Sequence, residues 1–332
     1  MPTVETVTGP VETDELGTTL IHEHLRTRDE AVHAQWPRAK SSGGIPEREH
    51  PGDGYDAAVE VATAAVELGV RTICDPTAMF LGRDVEFMRR VAEQTGLQVV
   101  PCTGIYTYDH LPPYLVSRDP DQIADLFVAD IEQGIQGTDI KAAFIKCAAD
   151  EPGLTENIEK IHRAAARASV RTGAPIMAHS RPASDTGPRQ IEILLEEGVD
   201  PAKVQIAHTG DTDDLEYIER VLDTGVWIGL DRYGLEMYLP YDRLPRAGIA
   251  HGGAVGGRAQ APVSQRTGLR TMIVSIWSAS TPACSRSGST RSWTIRMSQS
   301  FAIPAASICS ITSWANQSIV PQESAEMKSR SA

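Results

Sequence analysis

Short apolar runs alternate with longer amphipathic stretches over the first two thirds of the chain, and the alternation predicts strands and helices in turn. The run Thr18–Leu25 closes on His22-Glu23-His24 and reads as a buried strand. Positions i and i+2 of a strand share a face, so both imidazoles are expected to point the same way. Tyr55–Leu68 places Tyr55, Val59, Ala62 and Val66 on one helical face and stops at Gly69. Val70–Asp75 follows as a strand closed by Pro76, then Arg83–Thr95 as a helix ended by Gly96, and Leu97–Thr103 as the next strand. Gln122–Gln133 is helical and Ala142–Ala148 is a strand that carries one lysine. Thr155 caps a helix that runs to Thr172 before Gly173, and Pro175–His179 is the fifth strand. The helix Gln190–Glu197, the strand Val204–His208, the helix Asp213–Asp223 and the strand Val226–Asp231 complete the series.

Seven largely apolar strands with helices between them imply a parallel sheet covered by helices. A doubly wound open sheet would carry a glycine-rich phosphate loop after its first strand, and none is present. The chemically loaded residues sit instead at the C-terminal ends of several strands: His22 and His24, Lys146, His179, His208 and Asp231. That distribution predicts a (β/α)8 TIM barrel, whose active sites lie on that face.

Composition narrows the setting. A chain of 332 residues accommodates a barrel of about 250 as one unit. No run approaches the ~18 apolar residues of a membrane span, and Met1-Pro2-Thr3-Val4-Glu5 does not resemble a signal peptide. Five cysteines without a CxxC pair fit reduced thiols, so a cytoplasmic enzyme acting without membrane is expected. A net charge of −13 argues against nucleic acid as a partner. The charge is uneven: residues 247–332 carry +6 and the first 246 carry −19. Serine numbers 17 in the last 86 residues and 6 before them, and no aspartate follows Asp242. The expected organisation is therefore a catalytic barrel over 1–246 and an aberrant Ser/Arg-rich tail over 247–332.

An isolated His-x-His pair is usually a pair of solvated or hydrogen-bonded side chains. Four histidines at three strand ends of one barrel converge on one mouth, which favours a transition-metal site. Lys146, inside Phe144-Ile145-Lys146-Cys147, is a lysine on a buried strand. On its own it reads as a Schiff-base or ion-paired lysine. Beside the histidines a second reading opens, in which the amine adds CO2 and the resulting carbamate holds two cations.

Ile21-His22-Glu23-His24-Leu25, Thr103-Gly104-Ile105-Tyr106-Thr107-Tyr108 and Glu132–Thr138 carry a resemblance to the phosphotriesterase-like lactonases of the amidohydrolase superfamily. It continues through Phe144-Ile145-Lys146, Ala148-Ala149-Asp150-Glu151-Pro152-Gly153, Gly210–Asp214 and Ile228-Gly229-Leu230-Asp231-Arg232-Tyr233-Gly234. It covers about residues 3–245. It implies a dinuclear centre of divalent ions, zinc first and cobalt, iron or manganese as alternatives. His22 and His24 would bind the more buried ion, His179 and His208 the more exposed one, with Lys146, carboxylated, and a hydroxide bridging both. Tyr106 would lie beside that hydroxide and the substrate carbonyl, and Arg232 would line the pocket. The implied activity is the opening of N-acyl-homoserine or related lactones, a quorum-quenching reaction, with slow cleavage of organophosphate triesters in some members, by a homodimer. A triester hydrolase and a non-catalytic binding barrel are the alternatives.

One element of the pattern is missing. The family's last ligand and proton acceptor is an aspartate ending the eighth strand, about thirty residues beyond the Asp-Arg-Tyr-Gly stretch. Here that position falls near Val263-Ser264-Gln265, and no aspartate occurs downstream. A frameshift near codon 246 explains the abrupt change better than divergence does. Impaired turnover is expected.

Overall fold

The computed structural model describes residues 2–29, 54–212 and 214–232, with Gln35 and the paired segments Ser41–Ser42 and Ile45–Pro46. The eighth barrel strand and the tail fall outside the described residues. A hairpin of β1 (Thr3–Thr6) and β2 (Gly9–Glu12) precedes β3 (Thr19–Leu20), and β4 (Ser41–Ser42) pairs with β5 (Ile45–Pro46). The strands β6 (Thr72–Asp75), β7 (Gln98–Gly104), β8 (Phe144–Ala148), β9 (Ile176–His179), β10 (Val204–Ala207) and β11 (Trp227–Ile228) follow. β3 and β6 to β11 form one seven-stranded sheet in sequential order, every pair parallel. Helices α1 (Tyr55–Glu67), α2 (Val85–Thr95), α3 (Pro113–Val116), α4 (Pro120–Glu132), α5 (Glu156–Thr172), α6 (Thr186–Glu196) and α7 (Leu215–Asp223) lie between the strands in sequence. Consecutive parallel strands joined by helical crossovers curl into a (β/α)8-type barrel, as the strand order predicted.

Local chemistry accounts for the helix ends. The Asp84 carboxylate accepts the Phe87 N–H at the start of α2, and Gly96 in the left-handed region ends it. Asp119 and Gln122 form a reciprocal capping box with Pro120 in the first turn of α4. Thr155 accepts the Ile158 N–H to open α5. Alternation then divides each strand between two cores. Ala78, Val100, Cys102, Phe144, Met177 and Ala207 fill the barrel interior, with Val4 of the hairpin packed against them. Ile145, Ile176 and Ile206 face outward onto the alanine-rich side of α5 and its neighbours.

Three strand predictions are corrected at their C-terminal ends. β3 stops at Leu20, so His22 and His24 lie on the loop beyond it. β10 stops at Ala207, one residue short of His208, and β11 covers only Trp227–Ile228, short of Asp231. The reason is common to all three: backbone that turns out of the ladder brings side chains over the barrel mouth. Pairing to the end would hold them against the wall.

Candidate metal centre

Loops and strand ends bring the predicted residues together over the barrel. Lys146 projects inward from β8 and is 1% exposed. His179 is the last residue of β9, and His208 follows β10 in a left-handed conformation with φ 63°. A non-glycine residue there costs on the order of 1 kcal/mol, offset by two contacts to one oxygen of Asp231. The His208 N–H donates at 3.0 Å and its Nδ1 stands at 2.8 Å. The rings of His22 and His208 stack with centroids 4.6 Å apart, and those of His179 and His208 meet edge-on at 4.5 Å. His22 and His24 do not share a strand face; their rings are 5.5 Å apart at 63°.

Hydrogen bonding decides which nitrogen of each ring is free. The Nδ1 atoms of His22 and His208 each stand 2.8 Å from a different oxygen of Asp231. Two donors on one tetrahedral ion stand about 3.4 Å apart, so these short contacts are hydrogen bonds rather than the ligand edges of an ion held by His22, His208 and Asp231. Both rings therefore keep Nε2 for a ligand, and that of His22 stands 3.3 Å from Lys146 Nζ. The Thr77 hydroxyl donates to Asp75, which leaves its oxygen to accept from His24 Nδ1 at 2.7 Å and again frees Nε2. His179 is the opposite case. Its Nε2 faces Asp150 at 3.2 Å, leaving Nδ1. Four imidazoles, each with a carboxylate or hydroxyl behind it, form the donor set that suits zinc or a related divalent ion.

The electrostatics agree. Burial, then the Lys146 charge, pushes His22 down to about 4, against the opposing pull of Asp231. Burial also holds His24 and His208 well below the ordinary histidine value and lowers His179. All four are neutral near pH 7, the form that ligates. Burial pulls Lys146 down to about 8, so an appreciable fraction of its amine is unprotonated and nucleophilic toward CO2 near neutral pH. Glu23, half-buried between the two histidines, is pushed up to about 8 by burial and by Asp231 and Asp75. For Asp231 burial acts to raise the pKa, but His208 and His22 outweigh it and the carboxyl stays well below its usual value.

Tyr106 and Arg232 both reach the mouth, but each is already engaged. The Tyr106 hydroxyl donates to Asp150 Oδ2 at 2.7 Å, and Arg232 Nη1 donates to Asp211. Burial would raise Asp150, yet His179, Tyr106 and Arg181 hold it down at about 2. Burial lifts Asp211 to about 6, ahead of the lowering effect of Arg232. Asp75, Thr77, Asp150 and Asp211 were given no role by the sequence. Asp150 and Asp211 lie in stretches that carry the resemblance, and Asp75 ends β6. Only the fold reveals which imidazole or guanidinium each one meets.

A parallel barrel with four histidines and a buried lysine at its strand ends is of the metal-dependent hydrolase class. The model of the phosphotriesterase family matches residues 2–251, and the chain belongs to that family, one of binuclear metal-dependent hydrolases. It is 49% identical over 233 residues to an aryldialkylphosphatase of Saccharolobus solfataricus, covering 70% of this chain and 71% of that one. It is 39% identical over 254 residues to a phosphotriesterase homology protein of Mycobacterium tuberculosis, covering 73% and 74%. A phospho-furanose lactonase of Mycoplasmopsis agalactiae is 28% identical over 259 residues, covering 71% and 68%. The family match ends five residues past the change in composition at 246.

Proposed function

We propose that this hydrolase opens uncharged lactones, N-acyl-homoserine lactones among them, at a dinuclear zinc-type centre. His22 and His24 would hold one ion and His179 and His208 the other, with Lys146, as its carbamate, between them. The observation that carries the reading is the donor set itself: four neutral imidazoles, each with one nitrogen free, arranged around a buried lysine. When bound, the ions supply Lewis-acid polarisation of the ester carbonyl and lower the pKa of a coordinated water.

The chain's own residues do the rest. Asp231 holds the His22 and His208 rings in the tautomer that presents Nε2. Asp75 does so for His24 through Thr77. Tyr106, its proton held by Asp150, walls the pocket beside the ester. Arg232 and Arg181, on the loops after β11 and β9, are paired with Asp211 and Glu151. Neither is a bare cation awaiting an anionic group, which supports a neutral lactone over a phosphorylated one. The aspartate expected at the end of the eighth strand has no counterpart in the sequence, so the proton released on attack lacks that acceptor. Turnover is accordingly low.

A second activity, slow cleavage of aryl dialkyl phosphates, is favoured by the 49% identical relative of that name. The test is hydrolysis of γ- and δ-lactones, a phosphorylated lactone and an aryl dialkyl phosphate by the full chain reconstituted with Zn2+ or Co2+. Faster turnover of the uncharged lactones supports the reading. Preference for the phosphorylated lactone, or no turnover with two ions bound, defeats it.

A further inference from the structure

We propose that Asp150 is a positioning residue that couples the pocket tyrosine to one metal-binding histidine, a single carboxylate oxygen receiving both Tyr106 and His179. The three residues come from three consecutive strand ends: Tyr106 after β7, Asp150 two residues beyond β8, and His179 at the end of β9. Asp150 Oδ2 accepts the Tyr106 hydroxyl at 2.7 Å and stands 3.2 Å from His179 Nε2. The phenol ring meets the imidazole edge-on, with centroids 5.1 Å apart and planes at 86°. All three are anchored by backbone. The Ala149 N–H donates to the His179 carbonyl at 3.0 Å, the Gly153 N–H to the Asp150 carbonyl at 2.9 Å, and the Tyr106 N–H to the Met79 carbonyl at 3.1 Å.

Two consequences follow from donor and acceptor counting. An ionised carboxylate accepts only, so the His179 proton sits on Nε2 and Nδ1 is the nitrogen left for an ion. Tyr106 has one proton and gives it to Asp150, so toward the pocket it offers a ring and lone pairs. It can shape the site and accept a hydrogen bond, but it does not protonate a leaving group or donate to a carbonyl while that bond stands. A ligand that displaces the phenol is thereby transmitted to a metal-binding imidazole through one atom.

The inference rests on the reading of His179 as a ligand, and its test separates the two. Long-range 1H–15N spectra of the 15N-histidine-labelled full chain report the tautomer with or without metal. The proposal expects His179 protonated at Nε2 in the parent and a mixture of tautomers in D150N, because a neutral amide oxygen accepts more weakly than the shared carboxylate oxygen and a turned amide presents N–H to both partners. With Zn2+ added, D150N is expected to hold its second ion about 10- to 100-fold more weakly. Y106F, which keeps the Asp150–His179 contact, is expected to bind both ions as the parent does while KM rises. Nε2 protonation and metal affinity both unchanged in D150N overturn the proposal, as does Nδ1 protonation of His179 in the parent. A correct tautomer in a parent that binds no ion would overturn the ligand reading and leave the coupling standing. If D150N fails to fold, the parent's tautomer and the KM of Y106F decide.

Discussion

His22 and Asp231 are 209 positions apart and meet at 2.8 Å, through Nδ1 and Oδ2, with His208 on the other carboxylate oxygen at the same distance. One side chain thus orients a histidine assigned to each of the two ions. D231N can accept from only one of the rings, and the other must rotate or change tautomer. Metal affinity is expected to fall about 10- to 100-fold at both sites together. H24N should weaken only one. Metal content after dialysis against graded chelator distinguishes the patterns, and loss of a single ion from D231N would contradict the shared orientation.

Lys146 is a burden on the fold when no ion is present. It is 1% exposed and its near contact is the imidazole of His22, also buried. K146M keeps the volume and removes the charge. The metal-free chain is expected to gain about 1–3 kcal/mol in urea denaturation with chelator present and CO2 excluded. Burial pulls the folded pKa from 10.5 to about 8, so the parent's stability rises as pH climbs from 8 toward 10.5. K146M should lack that rise. A K146M variant less stable than the parent at pH 7 would count against a desolvated amine.

Much of this site was legible because its residue types are rare at strand ends. A histidine closing an apolar run, as in Ala178-His179 and Ala207-His208, and a lysine within Phe144–Ala148 each contradict their surroundings. Each contradiction stands in the amino-acid sequence itself. Less legible were the supporting carboxylates. Asp75 ends β6 and Asp150 and Asp211 lie a few residues beyond β8 and β10, where acidic residues are common, and nothing local distinguishes an aspartate that meets an imidazole from one that meets water. Strand ends were over-extended for a related reason. Apolar pattern continues through Ile21 and toward Asp231, but the ladder ends where the backbone turns side chains over the barrel. The predicted tail lies outside the described residues.

Gly104 marks where backbone shape and site geometry coincide. It ends β7 with φ 111°, and a Cβ there would overlap the Lys146 carbonyl oxygen, which is backbone and cannot swing away. The neighbouring strand carries Lys146, so relief of the clash must shift the lysine or open the β7–β8 pairing. G104A is expected to destabilise the chain by about 3 kcal/mol or more and to lower metal content in whatever fraction folds. Chemical denaturation together with metal analysis of the soluble protein checks both. An alanine variant with parental stability and two bound ions would contradict the reading.

His162 predicts how the fold responds to acid, one side chain removed from the candidate metal ligand His179. It lies on α5, fully buried. Its Nδ1 stands 2.8 Å from the Ile158 carbonyl and its Nε2 the same distance from the Gln190 side-chain nitrogen, which also donates to the His179 carbonyl. Nδ1 must therefore carry the proton and Nε2 must accept, a neutral tautomer with no room for a second proton. Burial, outweighing Ile158 and Glu159, pushes the folded pKa down to about 4 from 6.5. A depressed folded pKa contributes stability that is present above pH 6.5 and lost as pH falls toward 4. Over that window the loss is about 3 kcal/mol. H162Q is expected to abolish this part of the slope, so the stability gap between parent and variant narrows by about 2–3 kcal/mol between pH 7 and pH 4.5. Urea denaturation of the two proteins at both pH values, with chelator present, measures it. Parallel pH profiles would mean that His162 protonates without penalty, and that Gln190 turns its amide to present oxygen.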